Sequence, residues 1–405
     1  MTVIAAARRE KAGLRLALVY AALFFEMGVQ IPFLPVWLGA RGLRDGEIAI
    51  VLAAPLALRV VTTPFFSGLA DRRRDVPGML SAAAIVLASA CAMLGFLHGF
   101  APLLVAVAIL LCAQGLVMPL ADALASLVLR AADREGGAKL DYGRIRKWGS
   151  AAFIAGNLAG GLYLSVVPIE GATIALTAAA LLGVAATLYA APLGQGLKDE
   201  HAAPAEAATG TGLGLLPVVI AAAALIQTSH ALLNTFGSIH WAREGYSSNF
   251  VGAAWAIGVV CETTVFGLAG RWFSGPDRAL TLLAIGGTAA TLRWLIMASD
   301  PDAALLLLAQ AGHGLTFACT HLGSMLFIFA AAPPHMRARA QGWLTASISG
   351  LSALLIALCG PLYAHFGEVA YLTMAGLATA GLALAAFAAI RKRTGLTPRS
   401  ESPQR

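Results

Sequence analysis

A chain of 405 residues, 59% hydrophobic and only 12% charged, cannot clothe a water-facing surface, which ordinarily takes about 25% charged residues. It reads as a polytopic membrane protein and not as a soluble domain. The net charge of +7 does not mark a nucleic-acid binder, because Lys and Arg sit in short loops between apolar runs and no basic face carries interleaved aromatics.

The cysteines, at 91, 112, 261, 319 and 359, all lie in apolar runs without C-x-x-C spacing. They read as small packing residues, with neither metal nor disulfide.

Arg8, Arg9 and Lys11 precede the first apolar run. That run is too long for a signal peptide and ends at Pro32, Pro35 and Trp37 without a small-residue cleavage site. An uncleaved first helix is therefore expected over 13–38, with Glu26 near its centre and Gln30 one turn later on the same face. The second helix, 47–70, holds Arg59 at mid-length. Glu26 and Arg59 are opposite charges in neighbouring segments, and pairing would reduce the cost of burying both. The third and fourth helices are expected over 77–97 and 101–129. Gln114, Met118 and Asp122 share a face of the fourth. A carboxylate in hydrocarbon costs about 2.5–3.5 kcal/mol on the gentlest scale, so Asp122 either bonds a neighbouring helix or belongs to a polar site between helices. The loop 130–147 is densely basic and runs into a fifth helix, 149–167. There Gly156-x-x-x-Gly160 permits close helix packing. The sixth spans 172–192.

Residues 193–213 are polar, flexible and linker-like. They divide the chain into an N-terminal bundle, 1–192, and a C-terminal bundle, 214–391, with a basic tail over 392–405. The seventh helix, 215–240, carries Gln227, His230, Asn234, Ser238 and Trp241 on one stripe, which cannot face lipid without cost. The eighth, 249–270, places Trp255, Gly258, Glu262 and Phe266 at helical spacing. The ninth, 279–298, carries Arg293-Trp294. The tenth, 303–331, carries Gln310, His313, Phe317, Thr320, His321 and Ser324 along one broad face. The eleventh and twelfth are expected over 338–365 and 369–390.

Gly68-Leu69-Ala70-Asp71-Arg72, after the second helix, returns as Gly267-Leu268-Ala269-Gly270-Arg271 after the eighth. This repeat supports two halves of six helices. With both termini inside, Arg41, Arg44 and Arg243 are the basic residues in outer loops, Arg59 and Arg293 lie within helices, and the remaining Lys and Arg fall inside. That is the positive-inside pattern.

Several of these motifs resemble a known family. Pro119-x-x-Asp122, followed by Asp141-Tyr142-Gly143-Arg144-x-Arg146-x-x-Gly149, is similar to the lactose permease-like branch of the major facilitator superfamily. The fit is closest to its phenylpropionate transporter group. Ser67-Gly68-Leu69-Ala70-Asp71-Arg72-Arg73-Arg74 resembles the superfamily's cytoplasmic gate loop, which assigns Asp71 and Arg72 to gating. The fragments Ser229-His230-Ala231, Trp255-x-x-Gly258-Val259-x-x-Glu262, Arg293-Trp294 and His313-x-x-Thr316-Phe317-x-x-x-His321 extend the resemblance through the second half. It implies an all-α membrane protein of twelve helices in two six-helix bundles, and proton symport of a small organic substrate such as an aromatic acid. It also places Asp122 and Arg146 at the substrate. In the lactose permease an acid three residues after the tenth-helix histidine carries the proton. Here those positions are Thr316 and Ser324, which moves the proton site elsewhere and weighs against a sugar.

The membrane-depth charges Glu26, Arg59, Asp122, Glu262 and Arg293, with His230, His313 and His321, exceed what a structural bundle needs. Arg59 and Arg293 offer a planar fork to a substrate carboxylate, or pair with Glu26 and Glu262. His230, Asn234, Trp255, His313 and His321 complete the expected substrate site. Glu262 is the first candidate for the proton carrier, since desolvation favours the neutral carboxyl; Glu26 is the rival. No H-E-x-x-H or G-x-S-x-G motif supports an intramembrane enzyme. The expectation is a monomeric secondary transporter of the inner (plasma) membrane. It takes a small molecule and protons as partners, sits in the lipid bilayer, and binds no cofactor, metal or nucleic acid. The alternatives are a drug or metabolite exporter and a nucleoside or sugar symporter.

Overall fold

A computed structural model describes residues 3–73, 75–134, 140–194, 213–272 and 278–394. Most of the expected linker (195–212) and of the basic tail (395–405) lies outside the described residues. Those described are helical, with no strand among them. The first half comprises α1 (Val3–Ala40), α2 (Asp45–Arg73), α3 (Val76–Leu94), α4 (Phe100–Arg134), α5 (Tyr142–Val166) and α6 (Ala172–Ala190). The second comprises α7 (Leu216–Thr228), α8 (Ser238–Arg243), α9 (Ser248–Trp272), α10 (Ala279–Met297), α11 (Ala303–Ala311), α12 (Thr320–Ala331), α13 (Pro334–Phe366) and α14 (Tyr371–Arg393). Among the described residues, eleven stretches are long and apolar enough to cross a membrane. The last, Arg339–Lys392, joins two helices that the sequence reads as separate crossings.

Large apolar side chains point outward. Val61, Phe65, Leu162, Ile174 and Leu308 are between 64% and 71% exposed. On a water-soluble protein so many would form an aggregation surface; in a bilayer they face their own solvent.

The chain divides into two compact units. One is Met1–His201 with Leu233–Ala256 and Ile356–Ala364; the other is Ala202–Leu232, Ile257–Leu355 and His365–Arg405. In the first, α1 packs on α5 and α6, α3 on α4 and α6, and α2 on α4. Leu16, Tyr20, Leu80, Leu116, Leu120 and Leu124 form part of its core. In the second, α10 packs on α12 and α14, and α7 on α12 and α14. Its core includes Leu216, Val219, Leu283, Phe327 and Ile328. Gly156 brings α5 onto α1. A Cβ there would collide with the carbonyl of Phe25 and lie 3.2 Å from the α-carbon of Gly28, so small residues let the two backbones meet.

Three local departures from the expected helices bear on the site. First, α5 begins at Tyr142, about two turns before the expected start, because Asp141 caps it. The Asp141 carboxylate accepts from the N–H of Gly143 (2.8 Å) and of Arg144 (3.3 Å), which satisfies donors a helix start leaves open. Second, the expected seventh helix is interrupted by a π-helical turn at Leu233–Gly237 between α7 and α8. Third, a π-helical turn at Gly314–Cys319 separates α11 from α12. Such turns shift the register of side chains and recur at functional positions.

Candidate functional site

In the second unit, α10, α11, the π-turn at Gly314–Cys319, α9 and the end of α7 converge on Arg293. Its side chain is buried, at 3% exposure. Nη2 donates to Gln310 Oε1 (2.9 Å), and Nη1 donates to His313 Nδ1 (3.2 Å) and Thr316 Oγ1 (3.4 Å). Nε has no partner among the described residues. A guanidinium only donates, so His313 Nδ1 must accept and the ring hydrogen sits on Nε2. That nitrogen lies 3.3 Å from Glu262 Oε2. His313 is thus a neutral imidazole with an arginine on one nitrogen and a carboxylate on the other.

The expected direct pair of Arg293 with Glu262 is therefore not formed. His313 stands between them, because α11 and its π-turn bring that ring between α10 and α9. Gly314 lets α9 come this close: a Cβ would lie 2.6 Å from the backbone carbonyl of Cys261.

His230 sits beside this chain. Its Nδ1 donates to the Gln227 carbonyl (3.0 Å), leaving Nε2 to accept from Thr316 Oγ1 (2.9 Å). Its ring meets His313 edge-on at 5.3 Å and Trp294 at 4.9 Å. Trp294 Nε1 donates to Ser229 Oγ (2.8 Å). Phe317 stacks on His313 at 5.5 Å and on His321 at 6.2 Å, and Phe266 meets His321 edge-on at 6.0 Å. An aromatic column thus leads away from the buried guanidinium.

The first unit holds a second set. Arg59 on α2 turns toward α4. Its Nε donates to the Leu111 carbonyl (2.6 Å), Nη2 donates to the same carbonyl, and Nη2 also donates to Gln114 Oε1 (3.3 Å). Gly115 makes the room, since a Cβ there would lie 2.7 Å from Arg59 Nε. Gln114 Nε2 then donates to Glu26 Oε2 (3.2 Å) and to Gln30 Oε1. The expected Glu26–Arg59 pair is therefore absent as well: the Gln114 amide lies between them.

The third couple is separated in the same manner. Asp122 Oδ1 accepts from Tyr20 Oη (2.5 Å) and Tyr142 Oη (2.9 Å). Arg146, carried into the helix by the early start of α5, lies over the rings of Phe24 (4.1 Å) and Tyr20 (5.3 Å). Tyr20 thus touches both members. Asp122 also lines a pocket of about 420 Å³ with Ser126, Leu129, Arg130, Asp133 and Tyr142.

Of the other expected site residues, Trp255 donates from Nε1 to Ser238 Oγ (2.9 Å) within the first unit. Asn234 is exposed within its π-turn, and Arg72 is exposed at the end of α2. The side chain of Asp71 lies outside the described residues. The sequence alone does not mark Tyr20, Tyr142, Gln310, Thr316 and Phe317 as site residues, and it places Gln30 and Gln114 only on the faces of Glu26 and Asp122. Gln310 and Phe317 lay on a face already marked as polar and aromatic, which was a usable signal. Nothing in the sequence alone tied Tyr20 to Asp122.

Comparison with known proteins sets this geometry in context. The MFS_1 like family matches residues 14–373. A probable 3-phenylpropionic acid transporter of Escherichia coli (strain K12) is 29% identical over 366 residues, covering 89% of this chain and 93% of the relative. A maltose permease of Geobacillus stearothermophilus is 27% identical over 355 residues, covering 85% of each. Among crystal structures, the nucleoside transporter NupG aligns with a TM-score of 0.72 at 18% identity, over 92% of this chain and 98% of that one. A peptide transporter POT (E310Q mutant) in complex with alafosfalin aligns with a TM-score of 0.74 at 14% identity, over 95% and 94%. At such identity the structural likeness establishes the fold alone. Helices of membrane length with an apolar exterior, a buried polar interior and a family match over most of the chain lead to one conclusion: this chain belongs to the MFS_1 like family of major facilitator transporters.

Proposed function

We propose that the protein is a proton-coupled symporter of a small aromatic carboxylic acid, of the 3-phenylpropionate kind, working by alternating access. The observation that carries this reading is the Arg293 guanidinium, buried among neutral acceptors beside the column His313, Phe317, His321 and Phe266. A buried cation whose own partners are uncharged has unused capacity for an anion, and a guanidinium matches a carboxylate in a two-pronged geometry. The aromatic column supplies an edge-and-face surface for an aryl ring. The relative from Escherichia coli, by its name, handles such a compound.

Coupling follows from the two nitrogens of His313. A substrate carboxylate that takes the hydrogens of Arg293 removes the donor from His313 Nδ1. That nitrogen then accepts a proton, and the resulting imidazolium is held by Glu262 on the other side. Anion and proton enter together, and neither is stable alone in a low-dielectric site. In this reading Arg146, Arg59, Asp122, His230, Asn234 and Trp255 contribute to the rest of the transport path. Asp71 and Arg72 belong to the cytoplasmic gate loop. The chain forms two six-helix bundles of twelve crossings, 1–192 and 214–391, joined by a cytoplasmic linker. It lies as a monomer in the inner membrane with both termini in the cytoplasm.

Calorimetric titration of the purified protein tests the substrate class. Binding is expected for 3-phenylpropionate, with none for its amide, for maltose or for uridine. Tight binding of maltose or uridine, with none of the acid, would replace the aromatic-acid reading by the sugar or nucleoside alternative.

A further inference from the structure

The first half of the chain holds a buried acid that the His313 chain does not use. Glu26 is 2% exposed. Oε2 accepts from Gln114 Nε2 at 3.2 Å, while Oε1 is buried with no hydrogen-bond partner among the described residues. The orientation of Gln114 is fixed by its other neighbour. Arg59 can only donate, so the oxygen of that amide faces Arg59 and its NH2 faces Glu26 and Gln30.

Among the described residues, no cation is in contact with the Glu26 carboxyl. From α2, Arg59 is held off by Gln114. From α3, the Cys91 thiol is near enough to interact. From α5, Arg146 is committed to Phe24 and Tyr20. The sequence of α6 has no charged residue. From α8, Arg243 pairs with Asp45 (2.7 Å) and His240 bonds Tyr363 (3.1 Å).

A carboxylate in this setting would be a buried charge with one oxygen unsolvated and no countercharge, a state costing several kcal/mol. A carboxylic acid in the same place is neutral, and it accepts the one hydrogen bond on offer.

The repeat gives a second, independent pointer. The sequence offset that carries Gly68–Arg72 onto Gly267–Arg271 also carries Gln114 onto His313. Both residues, one on α4 and one at the end of α11, stand between an arginine and a glutamate that do not touch. One bridging side chain is an imidazole, which can itself take a proton. The other is an amide, which cannot. In the first half the acid alone is left to hold it.

We propose that Glu26 is a second proton-binding site, occupied by a proton at neutral pH, so that each half of the transporter carries one titrating centre. That Glu26 holds a proton stands on the geometry above. Its use as a second coupled proton rests on the symport reading.

Infrared difference spectroscopy of the purified protein in lipid, between neutral and alkaline pH, reads the site without any substrate. A carboxylic-acid C=O band present at neutral pH and lost at alkaline pH is expected. Its Glu26 component should vanish in Glu26→Gln, shift in frequency in Glu26→Asp, and persist in Glu262→Gln. Glu26→Asp guards against misfolding, because a shifted band requires a folded site. A band set in Glu26→Gln identical to wild type would overturn the proposal, as would its loss in Glu262→Gln alone. With 3-phenylpropionate as probe, two protons per anion carry one net positive charge inward, so wild-type uptake should respond to an imposed membrane potential. In Glu26→Gln the proton-to-substrate ratio should fall to one, and uptake should become electroneutral and indifferent to that potential. A ratio unchanged by the substitution would overturn the coupled role. A Glu26-dependent band without any transport of the probe would keep the proton site and remove the aromatic-acid reading instead.

Discussion

Arg293→Lys is expected to weaken 3-phenylpropionate binding by roughly 10- to 100-fold, about 1.5–3 kcal/mol, while leaving the protein folded. The lysine keeps a positive charge at the end of α10 but loses the fork. It cannot hold Gln310 Oε1 and present a two-pronged face to a carboxylate in one plane, as a guanidinium can. Arg293→Gln is expected to abolish measurable binding. It also leaves Glu262 without its indirect countercharge, so reduced stability will accompany it, and the lysine variant is the more informative of the two. Calorimetric affinity, with size-exclusion behaviour as the folding control, decides the matter. Unchanged affinity in Arg293→Lys would mean that Arg293 serves only to tie α10 to α11.

The second large effect is expected at Glu262. In Glu262→Gln the His313 ring keeps a hydrogen-bond acceptor on Nε2, so the site retains its shape and the substrate still binds. The amide carries no charge, however, and an imidazolium on His313 loses the group that holds it. Accumulation against a gradient should therefore fall well below that of the wild type, since the proton held at His313 no longer contributes to it. Exchange of labelled for unlabelled substrate should continue, because exchange requires no net release of the proton. The pH dependence changes too. In the wild type, apparent affinity should tighten as pH falls, since a proton enters with the anion. In the variant the dependence should flatten. A variant that concentrates substrate as fully as the wild type would move the coupling acid away from Glu262.

Much of this molecule was legible before its structure. Apolar runs gave the helices, because a bilayer leaves a backbone little choice except to satisfy its own hydrogen bonds. The family motifs around Asp122 and Arg146, and in the second half, pointed to the family that the comparisons show. Apolarity alone puts the start of α5 too late, because its first two turns are polar; the capping carboxylate of Asp141 is the better signal.

The charge pairs were the larger miss. Opposite charges on neighbouring segments were matched directly, as Glu26 with Arg59 and Glu262 with Arg293. In the structure each couple is separated by a neutral side chain, Gln114 or His313, and Tyr20 lies likewise between Asp122 and Arg146. Periodicity places a residue on a face. It does not say at what depth a third helix presents an amide or a ring to that face. The repeat offset that relates Gln114 to His313 was present in the sequence, and it marks both as equivalent bridging positions. The π-helical turns at Leu233–Gly237 and Gly314–Cys319, which set the register around His230 and His313, depend on tertiary packing and leave no comparable trace.

The central claim is that an organic anion and a proton bind together around Arg293, His313 and Glu262. It is tested most directly by uptake of labelled 3-phenylpropionate into proteoliposomes under an imposed acid-outside pH gradient. Accumulation above the external concentration is expected, abolished when a protonophore collapses the gradient. Uptake that reaches only equilibrium and is indifferent to the gradient, or accumulation that requires the gradient reversed, would contradict it.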